Sequence, residues 1–161
     1  MDRFVAIAAG LDVQPALDEI ARHPHEWMSP NANALLAISL IAGQNERMME
    51  SVLPETWKLL ETALAHAAAL HEGPATLCHA RIGLMPPGEG LPPHWDGVDG
   101  VALRRYQLAL VSEPGVALTV GGETKCPRPG EVWQIDASQI HSVTNGSAVD
   151  RITIVFDTRV G

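Results

Sequence analysis

Apolar and polar positions follow two rhythms along the chain. From Pro54 to His71 the residues Trp57, Leu60, Leu64, Ala67, Ala68 and His71 recur every three or four positions, which places them on one face of a helix. His66 falls on the wet side. Asp12-Val-Gln-Pro15 reads as the start of a shorter helix, with a capping carboxylate and a proline in the first turn; His23-Pro24 ends it near Arg22. Residues 23–34 hold two prolines, two asparagines and Trp27, and read as a loop. The apolar run Leu35–Ala42 fits a buried strand, and its pattern fits a helix as well.

After Pro74 the rhythm shortens to two. Strand-like runs occupy 76–85, 91–96, 101–112, 115–120, 131–136, 141–145 and 151–158. Turn signals separate them: Pro86-Pro87-Gly88, Pro114-Gly115, Gly121-Gly122, Pro129-Gly130 and Asn145-Gly146. Short strands at such spacing make a sandwich or barrel. The pattern predicts a mainly β fold with N-terminal helices (α+β), one domain over 1–161, in which a helical layer (1–75) covers a β-core (76–161).

Composition narrows the function classes. The 161 residues are 46% hydrophobic and 19% charged, a globular profile. A net charge of −8 argues against nucleic acid and anionic membranes as partners. Residues 1–75 carry 4 basic and 10 acidic side chains, so the acidity belongs mostly to the helical layer. The N-terminus lacks a signal-like apolar run, and no run is long enough to span a bilayer. Cys78 and Cys126 read as free thiols, and the chain as cytoplasmic.

Three stretches carry candidate chemistry. In His94-Trp95-Asp96 an imidazole and a carboxylate sit two positions apart, on one face of a strand, and both suit a divalent transition metal. His141 opens a later strand and could supply a third ligand; two His and one carboxylate leave positions open on iron. Alone, each has a plainer reading, a surface His, a turn Asp or a structural His. Arg151 heads the strand Arg151-Ile-Thr-Ile-Val-Phe156, where a planar cation calls for a bound anion or an internal acid. In Val101–Leu110, Arg105, Gln107 and Ala109 share one face, and Arg104, Tyr106, Leu108 and Leu110 the other. The leucine-rich face should meet the helices, leaving Arg105 and Gln107 towards the interior. Trp133 and Ile135 read as core. Asp136 and Asn145 read as turn or support residues near His141.

The order His-x-Asp, arginine-bearing strand, Pro-Gly-Glu strand, second His and Arg ten residues later resembles the iron(II)- and 2-oxoglutarate-dependent dioxygenases. More narrowly, Leu84–His94, Leu103–Leu110 and Gly130–Arg151 resemble the aspartyl/asparaginyl β-hydroxylase family, over about half the chain. The resemblance implies a double-stranded β-helix, a cupin-like jelly roll. It assigns His94, Asp96 and His141 to Fe(II), Arg151 to the distal carboxylate of 2-oxoglutarate, and Arg105 to its metal-side carboxylate; Gln107 would be a weaker donor to a cosubstrate carboxylate. O2 is the second cosubstrate, and the implied reaction hydroxylates an amino-acid-like substrate, free or peptidyl, of Asp, Asn or Pro type, releasing succinate and CO2.

Three departures stand out. Asp96 is present where some relatives lack the carboxylate, which favours hydroxylation over halogenation. Gln107 stands where a His is frequent. Gly83 stands near where a strand hydroxyl often helps hold the distal carboxylate; Arg81 or His79, on the same strand face, would substitute or touch substrate. Two other readings use the same residues: a cupin-like metal enzyme without 2-oxoglutarate, with Arg105 and Arg151 in ion pairs, and a non-enzymatic jelly roll that binds a small ligand. The first reading makes the pocket cationic inside an acidic protein, with any lid drawn from 23–34 or the loop at 98–100.

Overall fold

The computed structural model describes residues 2–22, 36–39, 53–96 and 103–159, with backbone only for 36–39. The loop expected over 23–34, with Trp27, Asn31 and Asn33, and the loop at 98–100 lie outside the described residues. So do the flanks of the 35–42 run.

The described residues hold two helices, α1 (Gln14–Arg22) and α2 (Pro54–Leu70). Asp12 starts α1 as its spacing predicts, accepting from the Gln14 N–H at 3.1 Å. Leu53 gives α2 no side-chain cap. Glu19 of α1 does so instead: its carboxylate accepts from Glu55 N–H at 3.0 Å, Thr56 N–H at 2.6 Å and the Thr56 hydroxyl at 2.8 Å. A buried anion thus satisfies the first free N–H groups of α2 and meets the positive end of its dipole.

The described residues also form ten strands: β1 (Phe4–Ala8), β2 (Leu36–Ser39), β3 (Thr76–Met85), β4 (Gly90–His94), β5 (Leu103–Val111), β6 (Val116–Val120), β7 (Glu123–Lys125), β8 (Val132–Ile135), β9 (His141–Asn145) and β10 (Arg151–Arg159). They form a larger sheet in the order β1-β8-β5-β10-β3-β2 and a smaller one in the order β4-β9-β6-β7. Every pairing is antiparallel. This is the jelly roll that the resemblance implied, and it falls within the sandwich or barrel that the turn spacing predicted. The chain-terminal strand β1 and the short β7 were not expected.

Strand alternation divides the core in two. Tyr106, Leu108, Leu110, Ile154 and Phe156 point to one side of the larger sheet and pack under Trp57, Leu60, Ala63 and Ala67 of α2. Tyr106 stacks on Phe156 with ring centroids 4.9 Å apart. The opposite side faces the smaller sheet, where Phe4, Met85, Leu118, Val120, Ile135 and Val143 form a second cluster. Trp133 is only partly buried at the margin of that cluster; its indole N–H donates to Glu131 at 2.9 Å and Lys125 Nζ lies 4.8 Å from its ring. His71, just after α2, ties the helical layer to β8 through a 2.8 Å hydrogen bond with Gln134. Among the described residues no helix is long and apolar enough to cross a membrane.

Candidate metal centre and anion pocket

The prolines of β4 set the position of His94. Leu91 pairs with Val143 and His94 with His141, so three steps on β4 match two on β9. The extra residue lies at Pro92-Pro93, which have no N–H to give to the ladder, and the strand bulges there. In a regular strand, residues three apart face opposite ways; the bulge lets Leu91 and His94 both face inward. The two imidazoles then lie side by side, centroids 4.3 Å apart.

Each ring is fixed by its own strand. His94 Nδ1 is 2.7 Å from the Pro92 carbonyl and His141 Nδ1 is 2.9 Å from the Gln139 carbonyl. A carbonyl only accepts, so both Nδ1 atoms carry a proton and each Nε2 is turned towards the cluster. Asp136 supports this arrangement as a turn residue: it accepts from Ser138 N–H and hydroxyl and from Gln139 Nε2 at 3.2, 2.6 and 3.0 Å, which shapes the turn that presents the Gln139 carbonyl. These hydrogen bonds outweigh burial and hold its carboxyl below the usual value. Asn145 likewise fixes its turn, donating to the Met85 and Val149 carbonyls at 2.8 Å.

Asp96 lies two residues beyond the end of β4, not within a strand as expected. Its N–H donates to the Ala137 carbonyl at 3.3 Å, which brings it back over the site. Its Oδ2 lies 3.2 Å from His141 Nε2. The ligating atoms of His94, Asp96 and His141 all fall within 4.8 Å of one another. Ligand bonds of ~2.1 Å place neighbouring donors of an octahedral ion about 3 Å apart, so two neutral imidazoles and one carboxylate on one side fit Fe(II) with positions left open.

Behind this cluster a cavity of about 50 Å³ runs between the sheets, lined by Arg81, Arg105, Gln107, Arg151 and Thr153 among others. Arg151 is 6% exposed. Its Nη2 donates to Gln107 Oε1 at 2.8 Å; among the described residues its Nε has no partner and no carboxylate bonds it. Burial lowers its pKa from the ordinary arginine value to about 10. Gln107 therefore spends its carbonyl on Arg151, and its Nε2 makes no hydrogen bond among the described residues. Arg81 Nε is also buried and unpartnered; burial, then the nearby Arg105 cation, lower its pKa. His79 follows the same pattern, its pKa lowered first by burial.

Arg105 is bound differently. Its Nε and Nη2 grip Asp157 at 2.8 Å each, and its Nη1 donates to Asp96 Oδ2. Burial works against this cation, but the hydrogen bonds and charge of Asp157 outweigh it and raise its pKa. A second cavity of about 190 Å³ opens on the far side of Arg105 and Ile135, bordered by Asp96, Leu103, Ala137 and Asp157.

All seven residues singled out in the sequence thus come together, His94, Asp96 and His141 as a cluster, Arg81, Arg105, Gln107 and Arg151 along the inner cavity. Sequence reading missed Thr153 and Asp157. Thr153 sits directly across from Gly83, and its buried hydroxyl is unpartnered. The signal was present: Arg151, Thr153, Val155 and Asp157 share one face of β10 by simple alternation, and three of the four are polar.

A 2-His-1-carboxylate cluster at one end of an anion-receptive cavity inside a jelly roll defines the class of non-haem iron oxygenases that use 2-oxoglutarate. The chain belongs to the aspartyl/asparaginyl β-hydroxylase family, whose model matches residues 34–160. As a member it is a dioxygenase working with Fe(II), 2-oxoglutarate and O2. A search of curated proteins finds no match. Among solved structures, it is similar to an oxidoreductase of the 2OG-Fe(II) oxygenase family from Burkholderia pseudomallei: 15% identity, 97% of this chain and 84% of that one, TM-score 0.71. It is similar to the epimerase SnoN, solved in complex with Fe3+, alpha ketoglutarate and nogalamycin RO: 16% identity, 98% and 79% coverage, TM-score 0.69. The Schizosaccharomyces pombe Cnp3 cupin domain shares the jelly roll at 11% identity, 85% and 70% coverage, TM-score 0.52.

Proposed function

We propose that the chain hydroxylates an amino-acid-like small molecule or peptide residue of Asp, Asn or Pro type. The balance is substrate C–H plus 2-oxoglutarate plus O2 giving substrate C–OH, succinate and CO2. The observation that carries the reading is Arg151, a buried cation without a carboxylate partner among the described residues, facing a cavity that ends at the His94, Asp96 and His141 cluster. An isolated buried charge is costly, and a bound dianion would compensate it. A cupin-like enzyme without 2-oxoglutarate would have no such need.

In this reading His94, Asp96 and His141 hold Fe(II), which supplies the coupled activation of O2 and oxidative decarboxylation of the cosubstrate. Arg151 and the Thr153 hydroxyl receive the distal carboxylate, with Thr153 taking the part of the hydroxyl absent at Gly83. The Gln107 Nε2 adds a weaker donor. Arg105 keeps two N–H groups beyond those spent on Asp157 and Asp96, enough for the metal-side carboxylate. Arg81 strengthens the field that draws a dianion inward. The inner cavity then takes the cosubstrate, and the outer one, beyond Arg105 and Asp96, takes the substrate.

The test is anaerobic addition of Fe(II) and 2-oxoglutarate. A weak visible metal-to-ligand charge-transfer band should appear and should be lost in His94→Ala and in Arg151→Ala. No band in the wild type overturns the reading. Succinate release screened over free amino acids and peptides then selects the substrate.

A further inference from the structure

Asp96 is poorly anchored for a metal ligand. It lies past the end of β4, its side chain is 38% exposed, and among the described residues it has one backbone hydrogen bond, at 3.3 Å. His94 and His141, in contrast, are each held by a strand and a carbonyl. What fixes the Asp96 carboxylate is Arg105, and what fixes Arg105 is Asp157, buried on β10 and bonded to it by two parallel N–H donors.

We propose that Asp157 is a positioning residue for the metal: it locks the Arg105 guanidinium so that Nη1 holds Oδ2 of Asp96, which sets that carboxylate as a single-oxygen ligand beside His141. This rests on the metal reading given above. Two physical effects act in one direction. A bidentate fork fixes the guanidinium plane, and the plane fixes where the third nitrogen reaches. The Asp157 charge also offsets Arg105, which would otherwise set an uncompensated cation beside a divalent ion. Arg81 makes that offset matter more, since its own cation lines the same cavity and feels Arg105 as a repulsive neighbour. Arg105 thereby serves two carboxylates with three N–H groups and keeps two for a cosubstrate.

The experiment is a titration of the full chain with Co(II), followed by its visible ligand-field absorption, without cosubstrate and without turnover. Asp157→Asn keeps the shape of the side chain and removes its charge and one acceptor. It should raise the Co(II) Kd by about tenfold or more, the usual scale for a group that orients a ligand. Arg105→Gln should raise it by a similar factor, and the double variant should show no further rise, since Asp157 acts through Arg105. A Co(II) Kd within about twofold of wild type in a folded Asp157→Asn overturns the proposal, as does a double variant whose loss is the product of the two single losses. If Asp157→Asn does not fold, Arg105→Lys carries the test. It keeps the charge but cannot span both carboxylates, so the Kd should rise, and an unchanged Kd overturns the proposal. His94→Ala is the control. Should wild type bind Co(II) no better than His94→Ala, the metal reading itself fails; should only Asp157→Asn be silent, this inference alone fails.

Discussion

Arg151→Met should leave the ligand-free protein at least as stable as wild type while removing its affinity for 2-oxoglutarate. Burial lowers the Arg151 pKa well below the ordinary arginine value, to about 10. At about 1.4 kcal/mol per pH unit, the cation is disfavoured in its cavity by about 3 kcal/mol. Methionine fills much the same stem volume without a charge. It leaves the Gln107 carbonyl without its donor, which costs about 1–3 kcal/mol. The net change runs from about zero to 2 kcal/mol in favour of the variant, at about 2–4 °C per kcal/mol for a chain of this size. The sign with pH follows from the lowered value. Below about pH 10 the arginine is charged in folded and unfolded chains alike, so its unfavourable contribution is constant and is relieved only as pH rises through about 10 towards the ordinary arginine value. The difference in Tm should therefore be flat from about pH 6 to about pH 9. For the ligand, losing two charge-assisted hydrogen bonds at about 1.5–3 kcal/mol each weakens binding by about a hundredfold to ten-thousandfold. Thermal melts with and without the cosubstrate read both effects. Wild type at about 100 times Kd gains about 3 kcal/mol, and the variant at the same concentration gains at most about 0.4 kcal/mol. A variant that melts more than about 5 °C lower yet keeps its ligand-induced shift would refute the reasoning, since Arg151 would then be holding the fold.

Other perturbations separate the parts of the site from the scaffold. Thr153→Val should raise the 2-oxoglutarate Kd about tenfold, measured calorimetrically, and leave Co(II) affinity unchanged, because the hydroxyl faces the inner cavity and no metal ligand. Glu19→Gln should lower stability by about 2 kcal/mol in denaturant unfolding, because the amide cannot match the charged cap on α2; turnover per folded molecule should not change. Gly90→Ala should weaken Co(II) binding and lower Tm together, because an added Cβ would sit 2.6 Å from the Val143 carbonyl and force β4 off the strand that carries His141.

The fold was legible where the chain carries punctuation. Each proline-glycine or glycine pair after Pro74 marks a real turn, and the 3.6 period of Trp57, Leu60 and Ala67 marks the buried face of α2. β1 was not legible: Phe4-Val-Ala-Ile-Ala has no polar alternation, and its strand exists because β8 offers it an edge. β7 is three residues long, too short for a periodic signal. The side of β5 facing the cavity was readable by parity alone. The placement of Asp96 was not, because parity assumes a regular strand and β4 both bulges at its prolines and stops at His94. Asp157 escaped because its role depends on cross-strand pairing with Arg105, a relation between residues 52 positions apart that no local pattern encodes.

The carbonyl anchors on His94 and His141 bear on which ion the protein ends up holding. With both Nδ1 protons held by backbone and both Nε2 atoms already directed inward, an arriving ion meets ligands that need no tautomer exchange and little turning. That readiness does not discriminate. Imidazole and carboxylate donors hold Zn(II) more tightly than Fe(II), and Zn(II) has no redox chemistry to offer. The feature that makes loading easy therefore also leaves the protein open to occupation by an inert competitor, and its working state is decided by which metals the surroundings supply.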